Sequence, residues 1–393
     1  MSKARANAGR TSSLNVAMVA AMPYPSGQGT QALVGELARG LSRHGHLVNL
    51  ICYHHGAFSR DEPFPVHRIK RVPLYRRMRS GPDAVKPVLD MLLARRTIEV
   101  VREFDCQLIH AHNYEGALAG WLAAKTCRVP LVYHAHNLME DELPRYFESG
   151  LFARLAAKAG WGLDRTVPRL ASRVIALHDR IAAALEACGV SARKIQVIEP
   201  GIETDFWRVE PGQQVSEPLV AYTGNLDNYQ DLPTLFKAMP MVVAEASQAQ
   251  LLVATPNDPH DAWRLAARHG AGSLIDVAVT LDALDTRQVM RRARLVVSPR
   301  SSWSGFPVKN LNAAAAGLPI VACQWSAFGV EDQKTGLVVP NRDPRALADA
   351  ILDLIKNPDL ARSMGRAGQR LVNERFSLER MVTQVEEVWS SLL

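Results

Sequence analysis

The stretch "LVVSPRSSWSGFPVKNLNAAAAGLPIVAC", residues 295–323, decides the fold. Its two apolar runs, 295–300 and 319–323, enclose a glycine-containing loop and an alanine-rich segment with helical character. A strand, a helix and a second strand in this order form the repeating unit of a parallel sheet. Ligands bind beyond the carboxyl ends of such strands, so the loop after residue 300 is a candidate site.

The same alternation extends through both halves of the chain. Predicted strands cover 15–22, 47–53, 107–112, 130–136 and 173–177 in the first half, and 219–225, 250–256, 274–279, 295–300, 319–323 and 336–340 in the second. Helical patterns lie between them, including a long one over about 146–170. A polar Pro/Gly stretch at 208–218 interrupts the pattern and predicts a linker. The fold class is therefore α/β, with two doubly wound Rossmann-like domains that face each other across a cleft.

The length of 393 residues exceeds what one hydrophobic core supports, which also predicts two domains. We expect the first at 1–205 and the second at 206–377. Residues 1–12 are expected to be disordered, and the last helix, 378–393, to pack back on the first domain. A hydrophobic content of 47% with 22% charged residues is typical of a globular protein.

Cysteine usage indicates a reducing environment. The five cysteines are scattered and none forms a C-x-x-C pair, so neither a disulfide framework nor a zinc site is indicated. No apolar run approaches the length of a membrane-spanning helix. We therefore expect a cytoplasmic protein.

The net charge of +7 is concentrated in the first half. "RIKRVPLYRRMR", residues 68–79, holds six cations and no acid: Arg68, Lys70, Arg71, Arg76, Arg77 and Arg79. Such a segment attracts acceptor phosphates or the anionic inner face of the cytoplasmic membrane, and it is also compatible with a solvated basic surface. No nucleic-acid-binding module surrounds it, so we expect no nucleic-acid partner.

A glycine loop precedes the first helical pattern. "GQGTQA", residues 27–32, formally matches the dinucleotide fingerprint of an NAD-dependent oxidoreductase. That fingerprint needs a carboxylate after the second strand to bind the ribose, and none occurs there before Asp61. Gly27 and Gly29 still allow close approach of a ligand, and the helix that follows offers its N-terminus to an anion. A tight turn without a ligand is the alternative.

Two histidine pairs end neighbouring predicted strands. His110 and His112 end one strand, and His134 and His136 end the next. Four histidines suggest a zinc site, but no carboxylate stands where it would support the ligands. We predict no metal. Instead, His136, the last on its strand, is predicted to project into the cleft as a hydrogen-bond partner or proton carrier for a substrate hydroxyl.

With these residues identified, the chain resembles the glycosyltransferase family 4 type of retaining sugar transferase, which has the GT-B architecture. The likeness covers nearly the whole chain. Its motifs occur in order: the glycine loop with "GH-x-V" at 45–48, "IHAHN" at 109–113, "YHAHN" at 133–137, "RVIALHDRIAAAL" at 173–185, "VIEPGIETDFW" at 197–207, "YTGNLDNYQDL" at 222–232 and "SGFPVKNLNAAAAGLPIVA" at 304–322.

The resemblance implies an acceptor-binding first domain and a nucleotide-sugar-binding second domain. It implies that Gly27 and Gly29 face the donor diphosphate, that His136 lies near the reacting sugar, and that no metal or other cofactor is needed beyond a UDP- or GDP-linked sugar. Gly305 and Phe306 belong to the loop that begins the donor-site helix.

Four positions that carry charge in the family are neutral here. Asn225 and Gln230 replace an arginine and a lysine, and Ser304 and Asn312 replace two glutamates. Two other cations, Arg300 and Lys309, stand around the predicted pyrophosphate site and would restore the charge, and Asn312 would contact the ribose.

The sequence thus predicts a retaining glycosyltransferase acting on an envelope glycolipid, a lipid-linked oligosaccharide or an exopolysaccharide precursor. Because four charged positions are lost, the alternative is a catalytically inactive GT-B protein that binds a glycan or organises a biosynthetic complex.

Overall fold

The computed structural model describes residues 13–26, 29–56, 61–73, 75, 81–147, 150–209 and 218–393. Several predictions fall outside these residues: those for the leader 1–12, for Gly27, for Arg76, Arg77 and Arg79, and for most of the linker, 210–217.

The first domain is built on a sheet of seven parallel strands. They are β1 (Asn15–Ala20), β2 (Leu47–Cys52), β3 (Val66–Arg68), β4 (Leu108–His112), β5 (Leu131–Ala135), β6 (Arg173–Ala176) and β7 (Ile195–Val197). Their spatial order is β3-β2-β1-β4-β5-β6-β7, so the strand order reverses between β1 and β4. A ligand crevice forms at such a reversal, outside the carboxyl ends of the strands.

The second domain repeats this plan with six strands. They are β8 (Leu219–Thr223), β9 (Gln250–Thr255), β10 (Ile275–Val279), β11 (Leu295–Ser298), β12 (Ile320–Cys323) and β13 (Gly336–Val339), in the spatial order β10-β9-β8-β11-β12-β13. The order reverses between β8 and β11, and the pairings are parallel. The predicted fold class, two doubly wound Rossmann-like domains, is confirmed.

Helices cover the faces of both sheets, which buries the central strands on both sides. The first domain carries α1 (Gly29–Arg43), α2 (Lys86–Glu103), α3 (Asn113–Cys127), α4 (Met139–Glu142), α5 (Leu151–Thr166), α6 (Asp179–Ala187) and α7 (Thr204–Trp207). Along the second half of the chain follow α8 (Leu232–Glu245), α9 (Pro259–Arg268), α10 (Ala283–Arg292), α11 (Val308–Ala315), α12 (Pro344–Lys356), α13 (Pro358–Arg375) and α14 (Leu378–Ser390). In α1, Leu33, Leu37 and Leu41 form the buried face, as their spacing predicts.

The last helix, α14, packs against α1 of the first domain. Gly40 permits this contact, because a Cβ there would lie 2.5 Å from Cγ2 of Val382. At the end of α14 the Trp389 side chain is fully buried, and its indole N–H donates to Nδ1 of His110 over 3.3 Å. The chain end is therefore tied to the histidines of the first sheet.

Two local features differ from the sequence prediction. The helix predicted over 146–170 is broken into a 3-10 turn (Leu143–Tyr146), α5 and a second 3-10 turn (Pro168–Leu170). Gly150, with φ of 114°, separates the first turn from α5. The short edge strands β3 and β7 were not predicted, since three residues do not establish an alternating pattern.

Hydropathy adds one observation on membranes. Among the described residues, no helix is long and apolar enough to cross a bilayer.

Candidate active site

The carboxyl ends of the two sheets enclose a cleft of about 300 Å³, lined by both domains. Ten of the eleven predicted catalytic and donor-binding residues line it: Gly29, His136, Asn225, Gln230, Arg300, Ser304, Gly305, Phe306, Lys309 and Asn312. The eleventh, Gly27, is outside the described residues. A cleft of this size with converging polar groups suits a small ligand or part of a larger one.

Hydrogen bonds join the domains at one end of this cleft. The Leu138 amide donates to Oγ of Ser304 over 2.7 Å, and the Ser302 hydroxyl donates to the Asp141 carboxylate over 2.8 Å. Ring contacts between Arg180 and Trp303 and between His178 and Phe328 also cross the cleft. Ser304 was predicted to bind the donor, but its hydroxyl oxygen accepts from the backbone two residues after His136.

The start of α11 faces the cleft. Gly305 precedes it with φ of 82°, a conformation that favours glycine. A Cβ at Gly305 would also lie 2.9 Å from Nη2 of Arg300 and 3.3 Å from the His136 carbonyl oxygen. The glycine therefore lets the loop lie between a cation of its own domain and the backbone of the other domain.

Arg300 donates hydrogen bonds to backbone carbonyls of the same loop. Its Nε donates to the Ser302 carbonyl over 3.1 Å, its Nη2 donates to the Ser304 carbonyl, and the guanidinium lies 4.9 Å from the Tyr229 ring centre. Desolvation lowers the pKa of Arg300. The side chain thus combines a structural role with a positive charge at the cleft wall.

Lys309 is oriented by Gln230 and Asn225, two neutral side chains at positions where the resemblance implies charge. Its ammonium donates to Oε1 of Gln230 over 2.8 Å and lies 4.2 Å from the Tyr222 ring centre. Nε2 of Gln230 donates to Oδ1 of Asn225, whose Nδ2 donates to the Asp227 carboxylate. Because an ammonium only donates, this chain fixes the orientation of both amides. Asn225 and Gln230 therefore hold Lys309 in place.

The partners of Lys309 leave its charge largely uncompensated. Desolvation lowers its pKa well below the usual value, and the nearby charge of Arg300 lowers it further. Among the described residues, no carboxylate lies within ion-pair distance of Lys309 or Arg300. Two cations thus face the cleft without a direct ion pair, although the nearby carboxylates of Glu142 and Asp141 act on the charge of Arg300.

Two further polar groups suit a carbohydrate ligand. Oδ1 of Asn312 has no hydrogen-bond partner within the described chain and is free to accept from a hydroxyl. Glu142 also lines the cleft, although sequence reasoning did not single it out. Its carboxylate accepts from the Tyr146 hydroxyl over 2.6 Å, and burial raises its pKa. The only sequence signal was its place in the acidic run that follows β5.

The four predicted histidines form one buried stack beneath the cleft. The rings of His110 and His112 lie 4.7 Å apart, as do those of His134 and His136. Nε2 of His110 lies 3.2 Å from Nδ1 of His134, and Nδ1 of His112 lies 3.0 Å from Nε2 of His136. Burial lowers the pKa of His110 and of His136 to about 3, so both are neutral near pH 7.

The hydrogen bonds determine where the protons of this stack lie. Because Trp389 donates to Nδ1 of His110, the His110 proton is on Nε2 and is donated to Nδ1 of His134. His134 then carries its own proton on Nε2, which has no partner in the described chain. A second unpartnered N–H beside it, on Nε2 of His112, would be costly. We therefore assign the His112 proton to Nδ1, which donates to His136.

This assignment bears on metal binding. His110, His112 and His134 each place one nitrogen within 4.8 Å of the others, a spacing that could hold a metal ion. In the tautomers above, however, only Nε2 of His112 retains a lone pair without a hydrogen bond. The arrangement fits a hydrogen-bonded stack better than a three-nitrogen metal site.

The described part of the basic segment lies apart from the cleft lining. Arg68, Lys70 and Arg71 are exposed on and after β3. Arg68 donates to the Tyr53 carbonyl over 3.4 Å. The remaining cations of the segment are outside the described residues.

The tautomer assignment predicts that His136 is neutral, with its proton on Nδ1 and its Nε2 accepting from His112. ¹⁵N spectra of histidine-labelled protein should show this form unchanged from pH 7.5 to pH 5, because burial opposes protonation. The His136→Gln and His112→Gln variants assign the signals. A His136 resonance that shows an Nε2–H, or that titrates in this range, would contradict the assignment.

Comparison with known families agrees with this geometry. Residues 27–206 match the model of Glycosyltransferase Family 4, and residues 217–357 match that of Glycosyl transferases group 1. The chain is 26% identical over 370 residues to the D-inositol 3-phosphate glycosyltransferase of Segniliparus rotundus, an alignment that covers 86% of this chain and 79% of the relative.

Solved structures share the architecture. Sucrose-phosphate synthase from Thermosynechococcus elongatus superimposes with a TM-score of 0.81 at 20% identity, over 96% of this chain and 99% of that one. Anabaena Alr3699/HepE in complex with UDP and glucose gives a TM-score of 0.76 at 18% identity, over 96% of this chain and 100% of that one. The two family matches identify the chain as a glycosyltransferase family 4-like retaining glycosyltransferase, and the likeness to the solved structures shows the GT-B fold.

Proposed function

We propose that this glycosyltransferase takes its sugar from a UDP- or GDP-linked donor held mainly by the second domain, and that Arg300 and Lys309 bind the donor diphosphate. The observation that carries the proposal is the pair of cations that line the cleft without a direct ion pair, of which Lys309 has no carboxylate among the groups that shift its pKa. A partly buried charge is costly to leave uncompensated, and a diphosphate supplies the missing negative charge. The N-terminus of α11 adds the positive end of its helix dipole beside them.

The other cleft residues have matching roles in this proposal. Oδ1 of Asn312 accepts from a ribose hydroxyl, and Gly29 lets the first domain approach the donor phosphates. His136 donates from Nδ1 to a hydroxyl of the transferred sugar, and the Glu142 carboxylate, on the first-domain side, accepts from a sugar or acceptor hydroxyl. The protein needs no metal in this scheme, since cationic side chains and helix dipoles stabilise the leaving group.

The reaction exchanges one bond to the anomeric carbon for another. The bond from that carbon to the diphosphate oxygen breaks, and its electron pair goes to the nucleoside diphosphate. The acceptor oxygen bonds to the same carbon on the same face, and its proton is transferred to the departing phosphate. Arg300 and Lys309 act where negative charge develops.

For the acceptor we propose an envelope glycolipid, a lipid-linked oligosaccharide or an exopolysaccharide precursor, reached from the cytoplasm. Support comes from the basic segment 68–79, whose described cations are exposed and suited to lipid or acceptor phosphates. Peripheral contact with the inner face of the membrane belongs to the same proposal.

Replacing Lys309 by Met should weaken UDP or GDP binding roughly ten- to hundredfold, since a hydrogen bond to a charged group is worth about 1.5–3 kcal/mol. Binding to the wild-type protein should also take up protons over the pH range in which Lys309 titrates in the free protein, because a phosphate raises its lowered pKa. Calorimetry in buffers of different ionisation enthalpy measures both effects. Lys237→Met, an exposed lysine on α8, is the matched control. Equal affinity and equal proton uptake in wild type and Lys309→Met would refute the assignment.

A donor screen by mass spectrometry tests the activity itself. Purified wild-type protein with UDP- and GDP-hexoses and a lipid-linked acceptor should yield a glycosylated product, and Lys309→Met should turn over at least about tenfold more slowly. If well-folded protein binds neither UDP nor GDP and forms no product, the alternative of a catalytically inactive binding protein replaces this proposal.

A further inference from the structure

Helix α5 presents much of its apolar surface to solvent. Of the eighteen large apolar side chains that are exposed in the described chain, six lie between residues 147 and 170. Leu151, Phe152 and Leu155 are 68%, 72% and 51% exposed, and Trp161 is 47% exposed. Scattered exposed apolar residues are ordinary, but a cluster on one helix marks an interaction surface.

The opposite side of α5 is fixed to the protein. Gly160 lies against the Met139 backbone, where a Cβ would collide with the Met139 carbonyl. Asp164 is buried and accepts from the Tyr114 hydroxyl and from the Met139 and Glu140 amides. The helix therefore has a defined orientation, and its outward apolar residues remain largely exposed in the described chain.

Cations lie along one edge of the outward surface. At 100° per residue, Leu151, Leu155 and Phe152 span one sector, and Arg154 and Lys158 lie just beside it. Both cations are exposed, and Arg165 lies 4.6 Å from the Trp161 ring centre. The one acid within α5, Asp164, is buried, while α4 contributes an exposed carboxylate, Glu140. The edge is therefore net positive.

We propose that this surface, the α5 face (Leu151, Phe152, Arg154, Leu155, Lys158 and Trp161), docks on an anionic lipid bilayer. An apolar sector flanked by lysine and arginine, with a tryptophan at the boundary, is the pattern of a helix that lies in the membrane interface. Its cations attract anionic headgroups, and their aliphatic stems cover neighbouring apolar surface. A neutral apolar partner would offer no negative charge to these cations.

The position of the α5 face connects docking to the reaction, and this step rests on the proposed function. α5 packs against α4 and against the 3-10 turn at Leu143–Tyr146, whose Arg145 and Tyr146 line the cleft. Gly81, where the described chain resumes after the basic segment, lies against the Tyr146 ring. A bilayer at the α5 face would thus adjoin the acceptor side of the cleft, which favours an acceptor carried on a lipid.

Vesicle flotation with full-length protein tests the docking. Wild-type protein should float with vesicles of phosphatidylglycerol and phosphatidylcholine, and much less with phosphatidylcholine alone. The Phe152→Ser/Leu155→Ser variant should bind the anionic vesicles at least about tenfold more weakly, because two apolar side chains no longer enter the interface. The Arg154→Glu/Lys158→Glu variant should bind the anionic vesicles more weakly and with less dependence on salt than the wild-type protein.

The matched control is Met91→Ser, since Met91 on α2 is 71% exposed on the same domain. Unchanged flotation of Phe152→Ser/Leu155→Ser, or an equal loss in Met91→Ser, would overturn the proposal. So would a wild-type dimer that Phe152→Ser/Leu155→Ser dissociates, because the face would then join two copies. UDP and GDP calorimetry separates the proposals: vesicle binding without nucleotide binding refutes the proposed function and leaves the docking intact.

Discussion

In a parallel sheet the carboxyl ends of all strands meet at one edge, and every polar group that ends a strand is brought to that edge. Two such sheets face each other here, each with a reversal of strand order at its centre. The loops after β5 and β11 consequently meet across one cleft, although their residues are more than 160 positions apart in the chain. Ser302 and Ser304 bond to Asp141 and to the Leu138 amide because of this geometry.

Few side chains carry the positive charge at the donor end of the cleft. Asn225 and Gln230, at positions where the resemblance implies cations, form a hydrogen-bonded chain that ends on Lys309. The charge is thus carried by the first turn of α11 rather than by the segment after β8. Desolvation lowers the pKa of Lys309, and an anion that entered the cleft would raise it again. Loss of the family charges therefore does not by itself imply loss of a diphosphate site.

Much of the fold followed from the sequence, because alternating apolar runs and helical patterns depend mainly on local periodicity. Placement of the predicted donor residues at the cleft followed as well, since strand ends of a parallel sheet must share one edge. The hydrogen bonds that these residues make could not be predicted from the sequence. Nothing in the sequence of the loop at 300–308 indicates that the Ser304 hydroxyl accepts from the Leu138 amide. Nor does the i, i+2 spacing of the four histidines indicate that they form one stack with Trp389 bonded to its end. The outward apolar side of α5 was also missed, because periodicity identifies a helix but does not tell which face its neighbours cover.

The central claim is that Lys309 and Arg300 form the diphosphate site in place of the neutral family positions. A crystal structure with bound UDP, and a parallel one with GDP, tests it most directly. The account predicts that a diphosphate oxygen lies within about 3 Å of Nζ of Lys309, with the phosphates at the start of α11. A well-ordered diphosphate in the cleft that contacts neither Lys309 nor Arg300, with Nζ still bonded only to Gln230, would contradict it.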